Sequence, residues 1–275
     1  MSLLIKFILL IIIYFIRFSK DYINELFVEN KPYLWLYWEN INNSSTPDYI
    51  LLCMATIVKH CKNDFNIVIL NEQTVNKYIT LRDDLYKLRI QQKVDYIRIQ
   101  LLKQYGGMYL DADTIVFKTL IDFYNKSKYK SFICYARSDN YTPRNGVLAS
   151  RKNGSFVKQM LDIMNIILDN AKVTNNYKFD YFEFGANLMY KIRKTNDDIY
   201  YYDQKTTGEY VNGSWQRPSD LILNKNLPVF NDNVILYSLN NSTISKMIEF
   251  RNKTKQELLL EDSLYAKLIK YSLNI

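Results

Sequence analysis

Two adjacent glycines divide the most informative stretch of this chain. Before Gly106-Gly107, apolar residues recur at helical spacing, with Leu85, Leu88, Val94, Ile97, Leu101 and Tyr105 facing inward, and predict a long amphipathic helix over 81–105. After the glycines, a short apolar strand over 108–110 ends in Asp111-Ala112-Asp113. A helix that stops at glycine and passes at once into a strand is half of a βαβ repeat. The chain is therefore expected to build an α/β fold, a Rossmann-like, mostly parallel sheet flanked by helices. Such sheets bind ligands beyond the C-terminal ends of their strands, where Asp111 and Asp113 fall.

The remaining pattern fits that expectation. Strands are predicted at 32–38, 65–70, 131–135, 200–202 and 234–237. Helices are predicted at 49–60, 156–168, 180–192 and 255–271, the last with Leu258, Leu259, Leu264 and Leu268 inward. A turn is predicted at 142–146, Thr-Pro-Arg-Asn-Gly. With 48% apolar residues, 7 glycines and 5 prolines, the composition is globular and supplies one core of about 250 residues. No repeat or Pro/Gly-rich linker interrupts 25–275, so that span is read as one domain.

The N-terminus differs. Residues 3–18 are apolar apart from Lys6 and Arg17, and the run from 7 to 16 is unbroken. As a helix, this stretch spans about 24 Å, short of a bilayer core of roughly 30 Å, with Lys6 and Arg17 placed to snorkel at either end. No small-residue cleavage site follows, so residues 1–24 are expected to be an uncleaved signal anchor and stem. Charges flank the run evenly, and the positive-inside rule assigns no orientation. Asn140-Tyr141-Thr142 and Asn252-Lys253-Thr254 are sequons that permit a secretory lumen.

Net charge is +8, but the Lys and Arg residues are scattered and form neither a basic stripe nor a recognition module, which argues against a nucleic-acid partner. Cys53 and Cys61 fall two helical turns apart, roughly 12 Å, too far for a disulfide, and Cys134 completes an odd set with no metal-ligand spacing. The only histidine, His60, lies within a predicted helix and reads as a satisfied structural residue, so chemistry that needs a histidine base is not expected.

Chemistry concentrates between Lys93 and Asp113. Asp95 and Arg98 are three apart and share a helix face, and the glycine pair leads that helix into the strand carrying Asp111 and Asp113. As a surface ion pair, Asp95 and Arg98 would contribute less than about 1 kcal/mol. Two carboxylates one residue apart at a strand end instead form a hard, oxygen-rich site for Mn²⁺ or Mg²⁺, with water and substrate phosphate completing the shell.

The pattern Asp95-x-x-Arg98, then Leu102-x-x-x-Gly106-Gly107-x-Tyr109-x-Asp111-x-Asp113, resembles the DxD-containing glycosyltransferases of GT-A fold related to capsular polysaccharide synthesis proteins, fungal initiating mannosyltransferases and the glucosylating clostridial toxins. Val94 stands where that family usually has serine. Leu34-Trp35-Leu36-Tyr37-Trp38-Glu39-Asn40 is similar to its first strand, and Asn145-Gly146-Val147-Leu148-Ala149-Ser150 to a segment of its sugar pocket. Gly213-Ser214-Trp215 resembles an element that closes over the diphosphate, although about sixty residues follow it here.

The resemblance implies a hexosyltransferase acting with retention, in which 25–275 is the catalytic domain. Its donor would be a nucleotide-diphosphate sugar, with UDP-sugars favoured and GDP-sugars possible, and its acceptor a glycan or protein. It implies catalytic roles for Asp95, Arg98, Asp111 and Asp113, with metal on Asp111 and Asp113. Donor contacts would come from Trp38, Asn71, Asp95, Arg98, Gly107, Tyr109, Asp111, Asn145, Ser214 and Trp215, Trp38 stacking near the base. Two rival readings are a haloacid-dehalogenase-type phosphatase, with Asp111 as nucleophile, and a non-catalytic membrane-tethered binding module.

Overall fold

A computed structural model describes residues 31–40, 44–136, 142–173, 178–180, 182–211, 214–215 and 233–275. The chain divides into a unit of 1–31 and a compact unit of 32–275. The expected anchor, 1–24, lies outside the described residues. Among the described residues, no helix is long and apolar enough to cross a membrane.

In chain order the elements are β1 (Tyr33–Tyr37), α1 (Asp48–Cys61), β2 (Asn66–Leu70), α2 (Ile90–Tyr105), β3 (Gly107–Leu110), β4 (Thr114–Val116), α3 (Ile121–Asn125), β5 (Phe132–Ala136) and β6 (Pro143–Ser150). There follow α4 (Ser155–Val173), α5 (Ala186–Ile192), β7 (Ile199–Tyr202), β8 (Tyr210–Val211), β9 (Ser214–Trp215), β10 (Leu236–Ser238), α6 (Asn241–Ile244), α7 (Ile248–Arg251), α8 (Lys255–Leu260) and α9 (Leu264–Leu273). The main sheet has the order β2-β1-β3-β6-β5-β7. Only β6 runs antiparallel to its neighbours. The mostly parallel sheet is as expected, with one reversed strand inserted.

Parallel strands buried on both faces read as continuous apolar runs, and β1 shows why. Its Leu34 and Leu36 enter one core with Tyr49, Ile50, Cys53 and Ile57 of α1 and Leu264, Leu268 and Ile269 of α9. Trp35 and Tyr37 enter the other, with Ile97, Leu101 and Leu102 of α2, Met160 and Met164 of α4 and Met189 of α5. Each fully buried Leu, Ile or Met contributes about 1.5–3 kcal/mol. Cys53, Cys61 and Cys134 are buried free thiols, and His60 is half-buried with its ring against Ser272 near the end of α9, as its structural reading expects.

Four boundaries differ from expectation. The helix expected over 81–105 begins only at Ile90, with Leu88 and Arg89 extended at ψ 152° and 151°. Before them, Asp83–Lys87 is a 3₁₀ turn held by Arg82, which bonds Asp84 at 2.9 and 2.8 Å and Asp169 on α4 at 2.6 Å. Gln92 then accepts the Arg89 N–H and caps α2. Of the residues expected inward, Val94 and Tyr105 are half-buried at the edge of the core. The turn expected over 142–146 is instead the opening of β6 from Pro143, where a proline at the first residue removes no needed ladder donor. The helix expected from 180 begins at Ala186, because Asp180 and Glu183 bond each other's neighbourhood in a turn. The closing helix is two, α8 and α9, since the Thr254 and Ser263 hydroxyls each accept an N–H of a new first turn.

The Arg82 clamp carries a pH signature. Its hydrogen bonds to Asp84 outweigh burial and, with Lys172, pull that carboxyl down to about 2 from 3.8. A depressed carboxylate contributes stability above its unfolded value, and loses it as pH falls toward 2. Asp84→Asn is expected to lower stability at pH 7 by up to about 2 kcal/mol, at 1.4 kcal/mol per pKa unit, with the deficit closing between pH 4 and 2. Urea unfolding across that range measures it; a deficit that stays constant to pH 2.5 would show that packing alone is at work.

Candidate active site

The glycine pair sets the geometry. Gly106 and Gly107 have φ of 72° and 94°, and a Cβ on Gly106 would meet Lys152 N at 2.6 Å. Trp35 Nε1 donates to Gly106 O at 3.0 Å, pinning the reversal. From Arg98 the chain descends about 10 Å to the helix end, then returns along β3 by about 13 Å, which brings Asp95, Arg98 and Asp111 to one level.

Arg98 is the hub. Its guanidinium lies 3.4 Å from Asp95, 3.1 Å from Asp111 and 4.6 Å above the Tyr109 ring, and it donates to the Asn145 carbonyl. Arg98 and Asp95 are each 5% exposed, so the pair is no surface ion pair. A buried pair stripped of either partner leaves an uncompensated charge. Burial raises the Asp95 carboxyl to about 6, against the lowering by Arg98 and the Asn145 hydrogen bond. Arg98, serving three acceptors, stays charged. The raised Asp95 favours the fold below about pH 4 and surrenders that contribution as pH passes 6. Such a residue is kept at a cost, the mark of a site.

Asn145 Nδ2 donates to Asp95 at 2.9 Å. A Cβ on Gly185 would lie 2.5 Å from that nitrogen and 2.8 Å from Asp95 Oδ2; one on Gly146 would lie 2.7 Å from Asp111 Oδ2. Gly146 leaves the Asp111 carboxylate partly exposed, whereas the lack of a side chain at Gly185 lets its backbone pack directly against Asn145 and the buried Asp95.

Asp113 is held from the C-terminal half. Its Oδ2 accepts the Asn241 N–H at 2.6 Å, and its carbonyl accepts from Leu239 N at 3.0 Å. Tyr49 OH donates to the Asn241 side chain. Burial, then the charge of Asp111, raises the Asp113 carboxyl. Glu209 is 1% exposed, bonded through one oxygen to Arg144 at 3.2 Å, and its buried Oε2 has no hydrogen-bond partner among the described residues; its charge acts on Asp113. Among the described residues no three His, Cys, Asp or Glu side chains already converge as a metal cage. The donor set fits a hard cation bound by one or two carboxylates, with substrate phosphate and water completing the shell. Asp111 and Asp113 would hold it.

The structure thus brings Asp95, Arg98, Tyr109, Asp111 and Asn145 together, with Asp113 two positions beyond Asp111; Gly107, expected at the donor, instead opens β3 at the opposite end of the strand, packed against the Tyr33 carbonyl. Trp38 is half-buried at the end of β1, its Nε1 donating to Asn40 at 2.9 Å. Asn71 follows the last residue of β2, and its Oδ1 accepts from Gln73 N, Thr74 N and Thr74 Oγ1, all within its own turn. None of these bonds reaches the Arg98 group. Ser214 and Trp215 form β9, antiparallel to β8; their side chains and Gly213 lie outside the described residues. Sequence reasoning missed Gly185, Glu209 and Asn241. A rare glycine was the only signal for the first, and the other two depend on long-range folding.

A family model described as capsular polysaccharide synthesis protein matches residues 12–268. A protein of Acanthamoeba polyphaga mimivirus, described as an uncharacterized glycosyltransferase, is 31% identical over 154 residues, 55% of this chain and 56% of that protein. The match therefore spans about half the length of that relative. Among solved structures, the PaToxG glycosyltransferase has 18% identity and a TM-score of 0.38 over 66% of this chain and 76% of its own. Apo GlyE of Streptococcus pneumoniae has 13% and 0.48 over 88% and 60%. The galactosyltransferase LgtC, with donor and acceptor sugar analogs, has 8% and 0.43 over 88% and 95%.

Proposed function

Because the chain belongs to the family of capsular polysaccharide synthesis proteins, we propose that it is a metal-dependent glycosyltransferase of GT-A type. It would move a hexose from a nucleotide-diphosphate sugar, a UDP-sugar before a GDP-sugar, to a glycan or protein acceptor with retention. The observation that carries this reading is the buried Arg98 binding Asp95 and Asp111 at the end of β3. Arg98 holds the carboxylates at fixed separation. Asp95, itself buried beneath the Gly185 backbone, accepts from the Asn145 amide and so fixes Asn145 and Arg98 beside the donor. Asp111 and Asp113 would hold Mn²⁺ or Mg²⁺, which would supply charge stabilisation for a departing diphosphate. A Mn²⁺-supplemented screen of nucleotide sugars for donor hydrolysis tests the reading; no release of nucleoside diphosphate from any donor would sink it.

Trp38 is assigned to the nucleotide base. Trp38→Ala is expected to weaken nucleotide binding by about 1–3 kcal/mol, the range for a base stacked on an aromatic, with a small change in melting. A large drop in melting with unchanged nucleotide affinity would make Trp38 a core residue only.

Residues 1–24 are assigned as a membrane anchor, from their apolar run and the compact unit that begins at Pro32. Deleting them is expected to give a soluble, folded protein that still hydrolyses donor. If circular dichroism shows the truncated chain unfolded, the run belongs to the core.

A further inference from the structure

The end of the main sheet opposite Asp111 is where β1, β2, β3, β5 and β7 begin and the reversed β6 ends. Register places Asn66 beside Tyr33, Met108 beside Leu34, Ser150 between Gly107 and Phe132, and Ile199 beside Phe132. Segments distant in sequence meet along that edge. They bring together Lys62, Lys103, Lys128, Lys130, Arg151 and Lys152, cations that are scattered along the chain. The same segments hold three acidic residues, each already engaged. Asp64 accepts from Thr119 at 2.6 Å, Asp198 accepts from Ser131 N at 2.7 Å and from Ser155 at 2.6 Å, and Asp197 lies 3.6 Å from Lys130. Lys62, Lys128, Arg151 and Lys152 are exposed.

Helix dipoles account for part of this set. Lys62 and Lys103 stand at the C-terminal ends of α1 and α2, where a cation is favoured. Arg151 and Lys152 have no such reason, because they precede the first turn of α4, where the dipole disfavours a cation. Two rings protrude beside the charges. Tyr129, between Lys128 and Lys130, is 76% exposed, and Tyr271, in the last turn of α9, is 67% exposed. That turn belongs to the same end of the fold, since the Ser272 carbonyl accepts from Lys59 in the last turn of α1. Lysine and arginine around protruding tyrosines match the interface of an anionic bilayer, where cations meet headgroup phosphates and carboxylates and tyrosine rings sit at headgroup level. The chain also enters β1 at this end, from a segment whose residues 7–16 are apolar.

We propose that this face docks on an anionic lipid surface, which turns the carboxylate end of the sheet away from the bilayer and toward water. The inference stands apart from the glycosyltransferase reading. An apolar anchor would hold the chain at a membrane in any orientation its stem allows, whereas the charged face selects one orientation and one class of lipid. Each cation brought near such a surface strengthens docking by about fivefold, and the effect fades within a Debye length.

Cys53, Cys61 and Cys134 are buried, so a thiol-reactive, polarity-sensitive dye marks an introduced cysteine selectively. The full chain is labelled through Tyr129→Cys or, as the control, through Tyr86→Cys, which is 79% exposed in the 3₁₀ turn before α2, toward the carboxylate end. Each is reconstituted into vesicles of phosphatidylcholine alone or with about 30% phosphatidylserine. The dye at position 129 is expected to shift to the blue only with phosphatidylserine, and to lose that shift in about 0.5 M salt. The dye at position 86 should not respond. Arg151→Glu with Lys152→Glu should lower the docked fraction by about tenfold or more, and Lys128→Glu, on a separate segment, by about fivefold. Melting of the double variant should hold, because the start of α4 favours carboxylates. An equal response at position 129 in both lipids, a response at position 86, docking that survives all three reversals, or a response to duplex DNA in place of lipid would overturn the inference and leave the transferase reading standing.

Discussion

Asp113→Asn is expected to lose a factor of about 10² or more in donor turnover while the protein stays folded. The amide keeps an oxygen to accept the Asn241 N–H, and the Leu239 bond uses the backbone, so both tethers to the C-terminal half survive. What disappears is a negative oxygen available to a divalent cation. At about 1.4 kcal/mol per tenfold, losing one carboxylate ligand removes several kcal/mol of leaving-group stabilisation. High Mn²⁺ should recover part of the rate, because a weakened site is still filled by mass action. Asp111→Asn should also be impaired, with less recovery, since it loosens Arg98 as well. Steady-state kinetics over a Mn²⁺ series separate these outcomes. Full activity in Asp113→Asn at low Mn²⁺ would remove Asp113 from the site.

Gly107→Ala is expected to damage the fold itself. At φ 94°, an L side chain is strained by about 1–3 kcal/mol, and its Cβ would press on the Tyr33 carbonyl oxygen of the neighbouring strand. Overpacking of that kind costs a further 1–3 kcal/mol or so. The sum, about 3 kcal/mol or more, corresponds to a fall of roughly 10 °C in melting for a domain of this size. Relief by shifting β3 would also move Asp111 away from Arg98, so the folded remnant should turn over donor slowly. Melting within 2 °C of wild type would show that β1 and β3 are less tightly registered than their Leu34–Met108 and Trp35–Tyr109 pairing indicates.

Much of the first half was readable because its signals are local. β1, α1, β2 and β3 each combine a periodic apolar run with a terminating glycine, proline or polar cluster, and these place the carboxylates without tertiary knowledge. The helix over 81–105 was overextended because helical periodicity does not register a salt bridge. Arg82 bonds Asp169, 87 positions away, and that tertiary contact outweighs local propensity at Asp83–Lys87. The same reason hid Asn241 and Glu209, polar residues in unremarkable surroundings until the chain returns them to the end of the sheet. Gly185 was hidden differently. Its role is the absence of a side chain beside Asp95, which no pattern of side chains reveals.

A glycosyltransferase would use Asp111 and Asp113 to hold a metal for transfer from a nucleotide sugar, whereas a phosphatase would use the same triplet for covalent catalysis on Asp111. The two differ in what is released. Wild-type protein incubated with Mn²⁺ and UDP- or GDP-sugars is expected to release the nucleoside diphosphate, at rates that depend on the sugar, and to leave phosphomonoesters untouched in Mg²⁺. Phosphate release from a phosphomonoester, with an acyl-phosphate trapped on Asp111 and no nucleoside diphosphate from any sugar donor, would contradict the account.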